Sequence, residues 1–288
     1  MTGLIVKGIA GFYYVKSGGE VFLCKARGIF KKDGVVPRVG DSVEIEVLND
    51  KSAVINSINE RKNEFIRPPV SNVDCFIVVL AAAKPEPNFK TADRFLVMAE
   101  NNGAGAIICL NKTDIAENEK IQIVKDIYKN AYHVACVSAI SGEGVGDLKK
   151  LLKGEKYALA GPSGTGKSTL LNVLQPESFA ETGEISKRTS RGKHTTRHAE
   201  IFETAENAML FDTPGFTSLD VACVAAEELM HLFPEMAGLY GKCKYKNCMH
   251  VNETGCAVRD AVKAGTIHES RYSSYKDILE EIKAGREF

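Results

Sequence analysis

The chain has 288 residues, with 37 Lys and Arg against 37 Asp and Glu, so its formal net charge is zero. Single cores rarely grow beyond about 250 residues, and this length leaves room for two or three domains. With balanced charge, the protein as a whole has no electrostatic attraction to nucleic acid or membrane, so such binding must come from local charged patches. No run approaches the ~20 apolar residues of a membrane span, and the N-terminus shows no cleavable signal pattern. We expect a cytoplasmic protein with no membrane partner.

The eight cysteines divide into two groups. Five stand singly in apolar surroundings, and the other three cluster with a histidine. The single ones are Cys24, Cys75, Cys109, Cys136 and Cys223, and the clustered ones are Cys243, Cys248 and Cys256. Free thiols together with one cluster are typical of a reducing compartment rather than of a disulfide framework.

Residues 1–66 are predicted to form an all-β domain. Turn signals separate five short β-like runs, and no helical period intervenes. The predicted strands are Gly3–Ile9, Phe12–Lys16, Val21–Ala26, Ser42–Leu48 and Ala53–Ile58. Five such strands fit a small closed barrel of the oligonucleotide-binding (OB) type. Another small β-barrel is the alternative that the pattern alone leaves open.

A second region begins at Arg67-Pro68-Pro69 and extends to residue 219, and here strands alternate with helical segments. Cys75–Ala81 is a continuous apolar run, typical of a strand buried on both faces of a parallel sheet. Apolar residues between Phe89 and Ala99 recur at helical spacing. Further strands are predicted at Ala106–Leu110, His133–Val137, Tyr157–Ala160 and Ala208–Phe211. This is a doubly wound α/β domain, whose ligands bind at the carboxyl ends of its strands.

Residues 220–288 form a third region, which is predicted to be mostly helical. The helical segments are Ala225–Leu232, Ala257–Ala264 and Glu269–Lys283. The region is too short for a large core, so we expect it to need a structural staple.

The segment at 161–169, GPSGTGKST, satisfies the phosphate-loop pattern G-x-x-x-x-G-K-[ST]. It follows a predicted strand and opens a predicted helix, which is the context that the motif requires. Lys167 would reach the outer phosphates, and Ser168 would offer its hydroxyl to Mg²⁺ bound with GTP. The predicted phosphate-site residues are Gly161, Pro162, Ser163, Gly164, Thr165, Gly166, Lys167, Ser168 and Thr169.

The choice of base is predicted from Asn111-Lys112-Thr113-Asp114, which follows the strand Ala106–Leu110. Guanine presents two donors, N1–H and the 2-amino group. The Asp114 carboxylate can accept from both, whereas adenine offers no such pair. Ser138-Ala139 is predicted to be the second base-contacting loop. The phosphate loop alone would also suit an ABC-type ATPase, but nothing in this sequence resembles the signature sequence of such an enzyme. GTP and GDP are therefore the predicted ligands.

Two further segments complete the predicted nucleotide site. Asp212-Thr-Pro-Gly215 ends a predicted strand, where Asp212 would hold Mg²⁺ through water and the Gly215 amide would sense the γ-phosphate. The stretch 187–198 carries five Lys and Arg and no acid. This composition favours a mobile switch whose Thr195 or Thr196 binds Mg²⁺, with a solvated basic loop as the alternative.

The catalytic group is predicted from the absence of the glutamine that orients water in Ras-like enzymes. Ras-like enzymes place a glutamine after Asp-x-x-Gly to orient the attacking water, but Phe216 stands at that position and cannot hydrogen-bond water. His194, in the basic stretch beside the magnesium threonines, is the candidate catalytic group. We therefore expect slow intrinsic hydrolysis of GTP and activation by a partner.

Near the C-terminal end, Cys243-x4-Cys248-x-His250-x5-Cys256 places three thiols and an imidazole within 14 residues. These ligands suit Zn²⁺, and four protein ligands leave no open position, so one structural Zn²⁺ per chain is predicted. Free thiols or a disulfide are the alternatives. Several Lys and Arg and Tyr245 surround the cluster, which favours contact with an RNA backbone over a merely soluble face.

The barrel, NKTD, SA, GPSGTGKST, HTT, DTPG and C-x4-C-x-H-x5-C, in that order, resemble the circularly permuted GTPase family RsgA, also called YjeQ or YloQ, over essentially the full chain. The resemblance implies that the OB and zinc domains contact RNA of the small ribosomal subunit. It further implies that the subunit stimulates GTP hydrolysis and that the protein acts late in subunit assembly. By resemblance, His194 is the family's switch histidine. We expect a monomer whose partners are the small subunit, its rRNA and GTP or GDP.

The chain departs from the family at Arg197, where a run of threonines often continues, and this leaves open whether Thr195 or Thr196 meets Mg²⁺. Two other interpretations compete with the resemblance. One is a permuted GTPase that serves the large subunit, although such proteins lack this barrel together with a C-terminal Cys₃His module. The other is a non-catalytic RNA-binding checkpoint that binds GTP and releases without chemistry.

The base-reading loop precedes the phosphate loop, whereas in Ras-like chains it follows. An ordinary GTPase domain would run from Asp-x-x-Gly into Cys75–Ala81, so the cut falls just after the second switch. We hypothesise that γ-phosphate sensing at Gly215 is transmitted to the zinc domain through the few residues after Phe216. Both RNA-binding modules would then be tethered near the switch.

Overall fold

The computed structural model describes residues 1–28, 30, 34–49, 51–175, 199–204, 207–216, 221 and 223–285. The chain forms two compact units. The first holds Met1–Cys75, Lys149–Leu159 and Leu171–Phe216, and the second holds Phe76–Leu148, Ala160–Leu170 and Thr217–Phe288. Among the described helices, none combines the length and the apolar character needed to cross a membrane.

The N-terminal part of the first unit is a five-stranded barrel. Its strands are Thr2–Ile9 (β1), Phe12–Ser17 (β2), Glu20–Ala26 (β3), Ser42–Asn49 (β4) and Ser52–Ile58 (β5). They are ordered β1-β2-β3-β5-β4, and β1 also pairs with β4, which closes the barrel. The β3–β5 pairing is parallel, and the others are antiparallel. This arrangement confirms the OB-type prediction.

Alternating side chains explain why these strands form a barrel. The inward-facing residues are fully buried, whereas most of their neighbours are partly or wholly exposed. Gly18 and Gly19 join β2 to β3 with φ of 59° and 88°, as a two-residue hairpin with two positive φ angles requires. The interior residues include Ile5, Val15, Cys24, Val43 and Ile55.

The first unit continues from the barrel into further strands. Glu200–Glu203 (β12) pairs antiparallel with β1, where Glu200 lies opposite Lys7. β12 also pairs antiparallel with Met209–Phe216 (β13), whose other neighbour is Lys156–Ala160 (β11). Glu64–Phe65 (β6) and Val70–Ser71 (β7) form a separate short ribbon. Strands as short as β6, β7 and β12 do not show a sequence period, which is why the sequence did not predict them.

β13 is longer than the predicted strand Ala208–Phe211. Pairing with β12 extends to Asp212, which lies opposite Glu200, so the DTPG segment lies inside the strand instead of following it. The strand end could not be read from the sequence because it depends on this cross-strand partner.

A buried carboxylate ties the segment after the barrel back to it. Asp41 is fully buried and accepts hydrogen bonds from Arg61 Nε and Nη2, both at 2.8 Å, and from Ser71 Oγ at 2.5 Å. Arg61 also donates to Val36 O. A buried charge needs this degree of pairing, because an unpaired carboxylate in the same place would be strongly destabilising.

The second unit contains three neighbouring strands in the order β10-β9-β8, namely His133–Cys136 (β10), Gly105–Asn111 (β9) and Cys75–Ala81 (β8). β9 and β10 are parallel, and every residue of β8 is buried, as predicted for a strand covered on both faces. The helices that accompany them are Phe89–Asn101 (α1), Asn118–Tyr128 (α2), Val145–Leu151 (α3) and Lys167–Leu174 (α4).

The C-terminal part of the second unit is short, and its regular elements among the described residues are helices, in line with the prediction. It contains Pro234–Ala237 (α5), Ala257–Lys263 (α6) and Glu269–Ala284 (α7). The predicted helix Ala225–Leu232 is wrong, because this stretch forms turns and a 3₁₀ helix over Leu229–Leu232 only. Phe233 is extended, with φ −118° and ψ 97°, because a residue before proline is disfavoured in the α conformation, and Pro234 then starts a new helix.

This C-terminal module is attached to α1 through Arg271 of α7. The guanidinium is fully buried and donates to Asp93 of α1 and to Glu235 of α5, each at 2.6 Å. It also lies 4.5 Å from the centre of the Phe233 ring. The pKa of Arg271 is raised, because the two nearby carboxylates outweigh the effect of burial, and the group is therefore charged. Val97 of α1 contributes to the apolar core of the module.

Candidate functional site

The phosphate loop of the second unit has a backbone that only glycine allows at three positions. Gly161, Gly164 and Gly166 have φ of 136°, 80° and 91°. A Cβ on Gly161 would overlap the Val79 carbonyl of β8, and one on Gly166 would overlap the side-chain amide of Asn111. The glycine spacing thus reflects both conformation and close packing against neighbouring strands.

Lys167, the first residue of α4, is held over this loop. Its Nζ donates to the carbonyl oxygens of Gly161 at 2.8 Å and Pro162 at 2.7 Å, and burial lowers its pKa. Ser163, Ser168 and Thr169 are exposed, whereas Thr165 is buried and donates through Oγ1 to Pro162 O at 3.1 Å. The lysine lies where the phosphate-loop pattern requires it, and the Ser168 hydroxyl is accessible.

Asn111 joins three of the predicted motifs. It is 2 % exposed, and its Nδ2 donates to Thr165 O of the phosphate loop at 2.9 Å. Its Oδ1 accepts from the Ala139 backbone N–H at 3.0 Å. Segments 111–114, 138–139 and 161–169, which are far apart in sequence, therefore meet at one side chain.

The residues after Asn111 adopt the conformation of a tight loop. Lys112 has φ of 64°, and its Nζ donates to Gly164 O at 2.7 Å and to Lys84 O. Asp114 lies in the 3₁₀ turn Thr113–Ile115 with an exposed carboxylate, and Thr113 N donates to Val137 O at 3.2 Å. Ser138 is buried and accepts from Ser141 N at 3.1 Å.

Lys84 is a residue of this site that the sequence analysis missed. It contributes a backbone carbonyl, and a carbonyl contact leaves no signature in the residue type. Its φ of 46° marks a tight turn that precedes α1.

The remaining predicted nucleotide residues belong to the first unit or are not described. Asp212 is buried in β13 of the first unit, and Gly215 lies in the same strand. His194, Thr195 and Thr196, with the rest of the basic stretch 187–198, lie outside the described residues.

The cysteine and histidine cluster converges as predicted. The ligand atoms of Cys243, Cys248, His250 and Cys256 lie within 4.8 Å of one another. Cys243 Sγ is 4.0 Å from Cys256 Sγ, and His250 Nδ1 is 3.5 Å and 3.4 Å from those two sulfurs. Tetrahedral Zn²⁺ with ordinary bond lengths would separate two sulfurs by about 3.8 Å and a sulfur and a nitrogen by about 3.6 Å. The donor set therefore fits Zn²⁺ in type and in spacing.

Hydrogen bonds to backbone groups hold the loop that carries the metal ligands. Glu253 accepts hydrogen bonds from the backbone N–H groups of Met249, Val251 and Asn252 at 2.7–3.0 Å. Although burial alone would raise its pKa, these bonds keep the pKa of Glu253 below its usual value. Tyr272 Oη donates to His250 O at 2.7 Å. The loop therefore has its own scaffold, independent of the ligand side chains.

Two models of known protein families match this chain. Residues 2–55 match the family model of the RsgA N-terminal domain, and residues 58–222 match that of the RsgA GTPase. The chain belongs to the RsgA GTPase family. The RsgA match covers both the barrel and the part of the chain that carries the nucleotide motifs.

Individual RsgA relatives agree with this assignment. The small ribosomal subunit biogenesis GTPase RsgA of Agathobacter rectalis is 43% identical, over 98% of this chain and 98% of its own. The crystal structure of YloQ, described as a circularly permuted GTPase, has a TM-score of 0.83 at 35% identity and covers 98% of this chain and 95% of its own. YjeQ from Thermotoga maritima has a TM-score of 0.84 at 34% identity, with 98% of each chain covered. The chain is thus a GTP-hydrolysing enzyme with a circularly permuted GTPase domain.

Proposed function

We propose that this GTPase binds the small ribosomal subunit and its rRNA, and that it hydrolyses GTP to GDP and phosphate during late maturation of that subunit. The observation that carries the GTP-dependent part is the junction at Asn111, where the base loops and the phosphate loop meet. The names of the relatives, small ribosomal subunit biogenesis GTPase, support the choice of partner. We further propose an OB-fold domain at 1–66, a GTPase domain at 67–219 and a zinc-binding domain at 220–288.

In this proposal, the exposed Asp114 carboxylate accepts from guanine N1–H and the 2-amino group. Lys167 binds the outer phosphates, and the Gly215 amide senses the γ-phosphate. Mg²⁺ enters with GTP, and its proposed ligands are Ser168, Asp212 and one of Thr195 and Thr196. Zn²⁺ is the proposed occupant of the Cys₃His cluster, where it has a structural role.

Hydrolysis is proposed to depend on His194. The oxygen of a water forms a bond to the γ-phosphorus while the bond to the β–γ bridging oxygen breaks, and His194 accepts the proton of the water. Phe216 is fully buried, and its ring packs edge-to-face on Phe65 at 5.4 Å between ring centres. This placement supports the view that position 216 does not orient the water, and we expect slow intrinsic turnover.

The surface of the zinc module supports an RNA partner. Tyr240 and Tyr245 are 67 % and 45 % exposed. The Tyr240 ring lies 4.7 Å from the His231 ring, and Lys244 Nζ lies 5.5 Å from the centre of the Tyr245 ring. Exposed aromatic rings stack on unpaired bases, and a lysine beside such a ring can contact the RNA backbone.

Phosphate release, measured with and without purified small ribosomal subunits, tests the function. We expect the subunits to accelerate release by the wild type and much less by His194→Ala, with GTP affinity unchanged in the variant. If subunits bind the GTP form but do not accelerate release, the protein is a non-catalytic checkpoint and the proposed mechanism is wrong. Stimulation by large subunits alone would contradict the choice of partner.

A further inference from the structure

The two ring nitrogens of His250 face different sulfur atoms. Nδ1 points to the other metal ligands, at 3.5 Å from Cys243 Sγ and 3.4 Å from Cys256 Sγ. Nε2, on the opposite side of the ring, lies 3.2 Å from the thioether sulfur of Met230. Met230 lies in the 3₁₀ helix Leu229–Leu232, 20 residues before the histidine. The imidazole is thus placed between the cluster and a residue outside it.

The chemistry of sulfur assigns the hydrogen on this ring. A thioether has no hydrogen to donate and acts only as a weak acceptor. The contact with Met230 is therefore a hydrogen bond only when Nε2 carries the hydrogen. A neutral imidazole with hydrogen on Nε2 has its lone pair on Nδ1, and that nitrogen faces the cysteine sulfurs. The contact outside the cluster and the ligand position inside it require the same tautomer.

Burial increases the energetic importance of the contact between His250 Nε2 and Met230. His250 is 3 % exposed and Met230 is 7 % exposed. Among the described residues, Met230 is the only hydrogen-bond partner that the structure gives to Nε2. A buried N–H without an acceptor is unfavourable, because it has lost water and gained no replacement. The thioether therefore favours one tautomer and one ring orientation.

The backbone of His250 is fixed separately. It has φ of 61°, in the left-handed region, and its carbonyl accepts from Tyr272 Oη at 2.7 Å. These features place the Cα–Cβ bond but leave the ring free to rotate about the side-chain torsions. The Tyr275 ring packs near the imidazole, with 6.2 Å between ring centres, and Met230 contacts Nε2 on the side away from the cluster.

We propose that Met230 is a positioning residue for metal binding, whose thioether holds the His250 ring with Nδ1 directed at Zn²⁺. The proposal rests on the proposed zinc site. Histidines that bind metals usually donate their second N–H to a carboxylate, a carbonyl or water, and loss of that partner lowers metal affinity about 10–100-fold. A thioether is a weaker acceptor, so we expect an effect near the lower end of that range.

Met230→Leu in the full chain removes the acceptor and nearly conserves side-chain volume. Metal-depleted, reduced protein is titrated with Zn²⁺ in competition with a chromophoric chelator. We expect the variant to bind Zn²⁺ about tenfold more weakly than the wild type. Met236→Leu is the matched control, because Met236 is fully buried in the same apolar core but, among the described residues, forms no hydrogen bond with His250. We expect this control to leave the affinity unchanged.

A spectroscopic measurement separates hydrogen bonding from packing. In zinc-loaded protein labelled with ¹⁵N-histidine, we expect His250 to show a slowly exchanging Nε2–H in the wild type and faster exchange in Met230→Leu. Met230→Gln restores an acceptor as a carbonyl oxygen, so it should recover affinity and slow exchange relative to Met230→Leu. The wild-type spectrum alone tests the tautomer if a variant folds poorly.

Three results would overturn the inference. One is equal zinc affinity and equal Nε2–H exchange in the wild type and Met230→Leu. Another is an equal loss of affinity in Met230→Leu and Met236→Leu, which would indicate packing alone. The third is a wild-type spectrum in which Nδ1 carries the hydrogen and Nε2 binds the metal. If the wild type binds no Zn²⁺ at all, the proposed zinc site itself has failed, which is a distinguishable result.

Discussion

Asn111 shows at the scale of one residue how the nucleotide site is assembled. Its amide uses a donor toward Thr165 O and its acceptor toward Ala139 N, so a single side chain sets the spacing of three loops. Gly166 must therefore lack a side chain, because Asn111 Nδ2 occupies the space where a Cβ would lie. A motif glycine and a motif asparagine thus constrain each other.

Gly166→Ala tests this constraint. The new Cβ would clash with the Asn111 amide, and alanine would be strained at φ of 91° by about 1–3 kcal/mol. We expect the affinity for GDP to fall about tenfold or more, which corresponds to ~1.4 kcal/mol. Titration with a fluorescent GDP analogue measures it.

Gly146→Ala is the matched control for that substitution. Gly146 lies in α3 without a positive φ, and no atom lies within 4 Å of an added Cβ. Alanine in a helix is favoured over glycine by about 0.5–1 kcal/mol, so we expect unchanged affinity and slightly higher stability. Equal loss of affinity in both variants would contradict the steric explanation.

Asp74 makes the stability of the first unit depend on pH. Burial alone would raise its pKa, but the Lys156 backbone N–H at 3.0 Å and the Lys156 ammonium at 3.1 Å bring the pKa below its usual value. Such a carboxylate stabilises the fold above its unfolded pKa, near 4, and this contribution disappears as the pH falls through the lower folded pKa.

Asp74→Asn should therefore destabilise the protein at pH 7 and progressively less at lower pH. The side chain is partly exposed and the ion pair is screened, so we expect a difference of about 0.5–1 kcal/mol at neutral pH. Urea denaturation of both proteins between pH 7 and pH 3.5 measures the difference. A gap that widens toward low pH would contradict the assignment.

At the scale of elements, Arg271 determines how the C-terminal module packs on α1. One guanidinium pairs with Asp93 of α1 and Glu235 of α5, and all three side chains are buried or nearly so. Arg94, also on α1, pairs with Glu281 of α7 through two hydrogen bonds of 2.6 and 2.7 Å, but this pair is partly exposed. The same two helices thus carry a buried and a solvent-accessible ion pair.

We expect Arg271→Met to be strongly destabilising. It leaves two buried carboxylates without their cation, and breaking a buried pair in this way costs about 3–5 kcal/mol. Arg94→Met is the matched control and should cost about 1 kcal/mol or less, since exposed pairs contribute little. Chemical denaturation of both variants measures the difference, and similar losses would show that burial of the Arg271 network is not decisive.

A second feature at this scale concerns the barrel. β1 pairs with β12, which in turn pairs with β13, the strand that contains Asp212 and Gly215. Two ion pairs, Lys7 with Glu200 at 2.9 Å and Lys16 with Glu203 at 2.5 Å, accompany this ladder. The barrel is therefore joined to the DTPG strand by hydrogen bonds, although the two are remote in sequence.

At the scale of the whole molecule, the permutation places the DTPG strand directly before the zinc module in the chain. We expect a flexible Gly-Ser linker inserted after Phe216 to abolish the difference in small-subunit affinity between the GTP-analogue and GDP forms. The module itself should stay folded, because Arg271 anchors it to α1. Binding of labelled subunits in the two nucleotide states measures the difference.

The same linker inserted after Gly154 is the control, since that glycine is exposed in the connection between α3 and β11 and has open space around it. This insertion should preserve the nucleotide dependence. If affinity still depends on the nucleotide with the linker after Phe216, transmission through the covalent connection is excluded.

Local chemistry was readable from the sequence. The phosphate loop, NKTD and the Cys₃His spacing each place the necessary atoms within a few residues, so residue type and order predict them directly. The barrel followed from alternation, and the full burial of β8 followed from its unbroken apolar run. The predicted helix at Ala225–Leu232 was wrong because Pro234 imposes an extended residue and a new helix start.

The residue types and their order were enough to recognise the family, and they predict the chemistry of the motifs and a division into three regions. The contacts between distant residues became visible only in the folded chain. Arg271 with Asp93, β12 with β1, and Met230 with His250 each join residues that are remote in sequence and of common type. A local sequence pattern predicts the conformation and chemistry of its own segment. These contacts depend instead on which distant groups the fold brings within hydrogen-bonding distance.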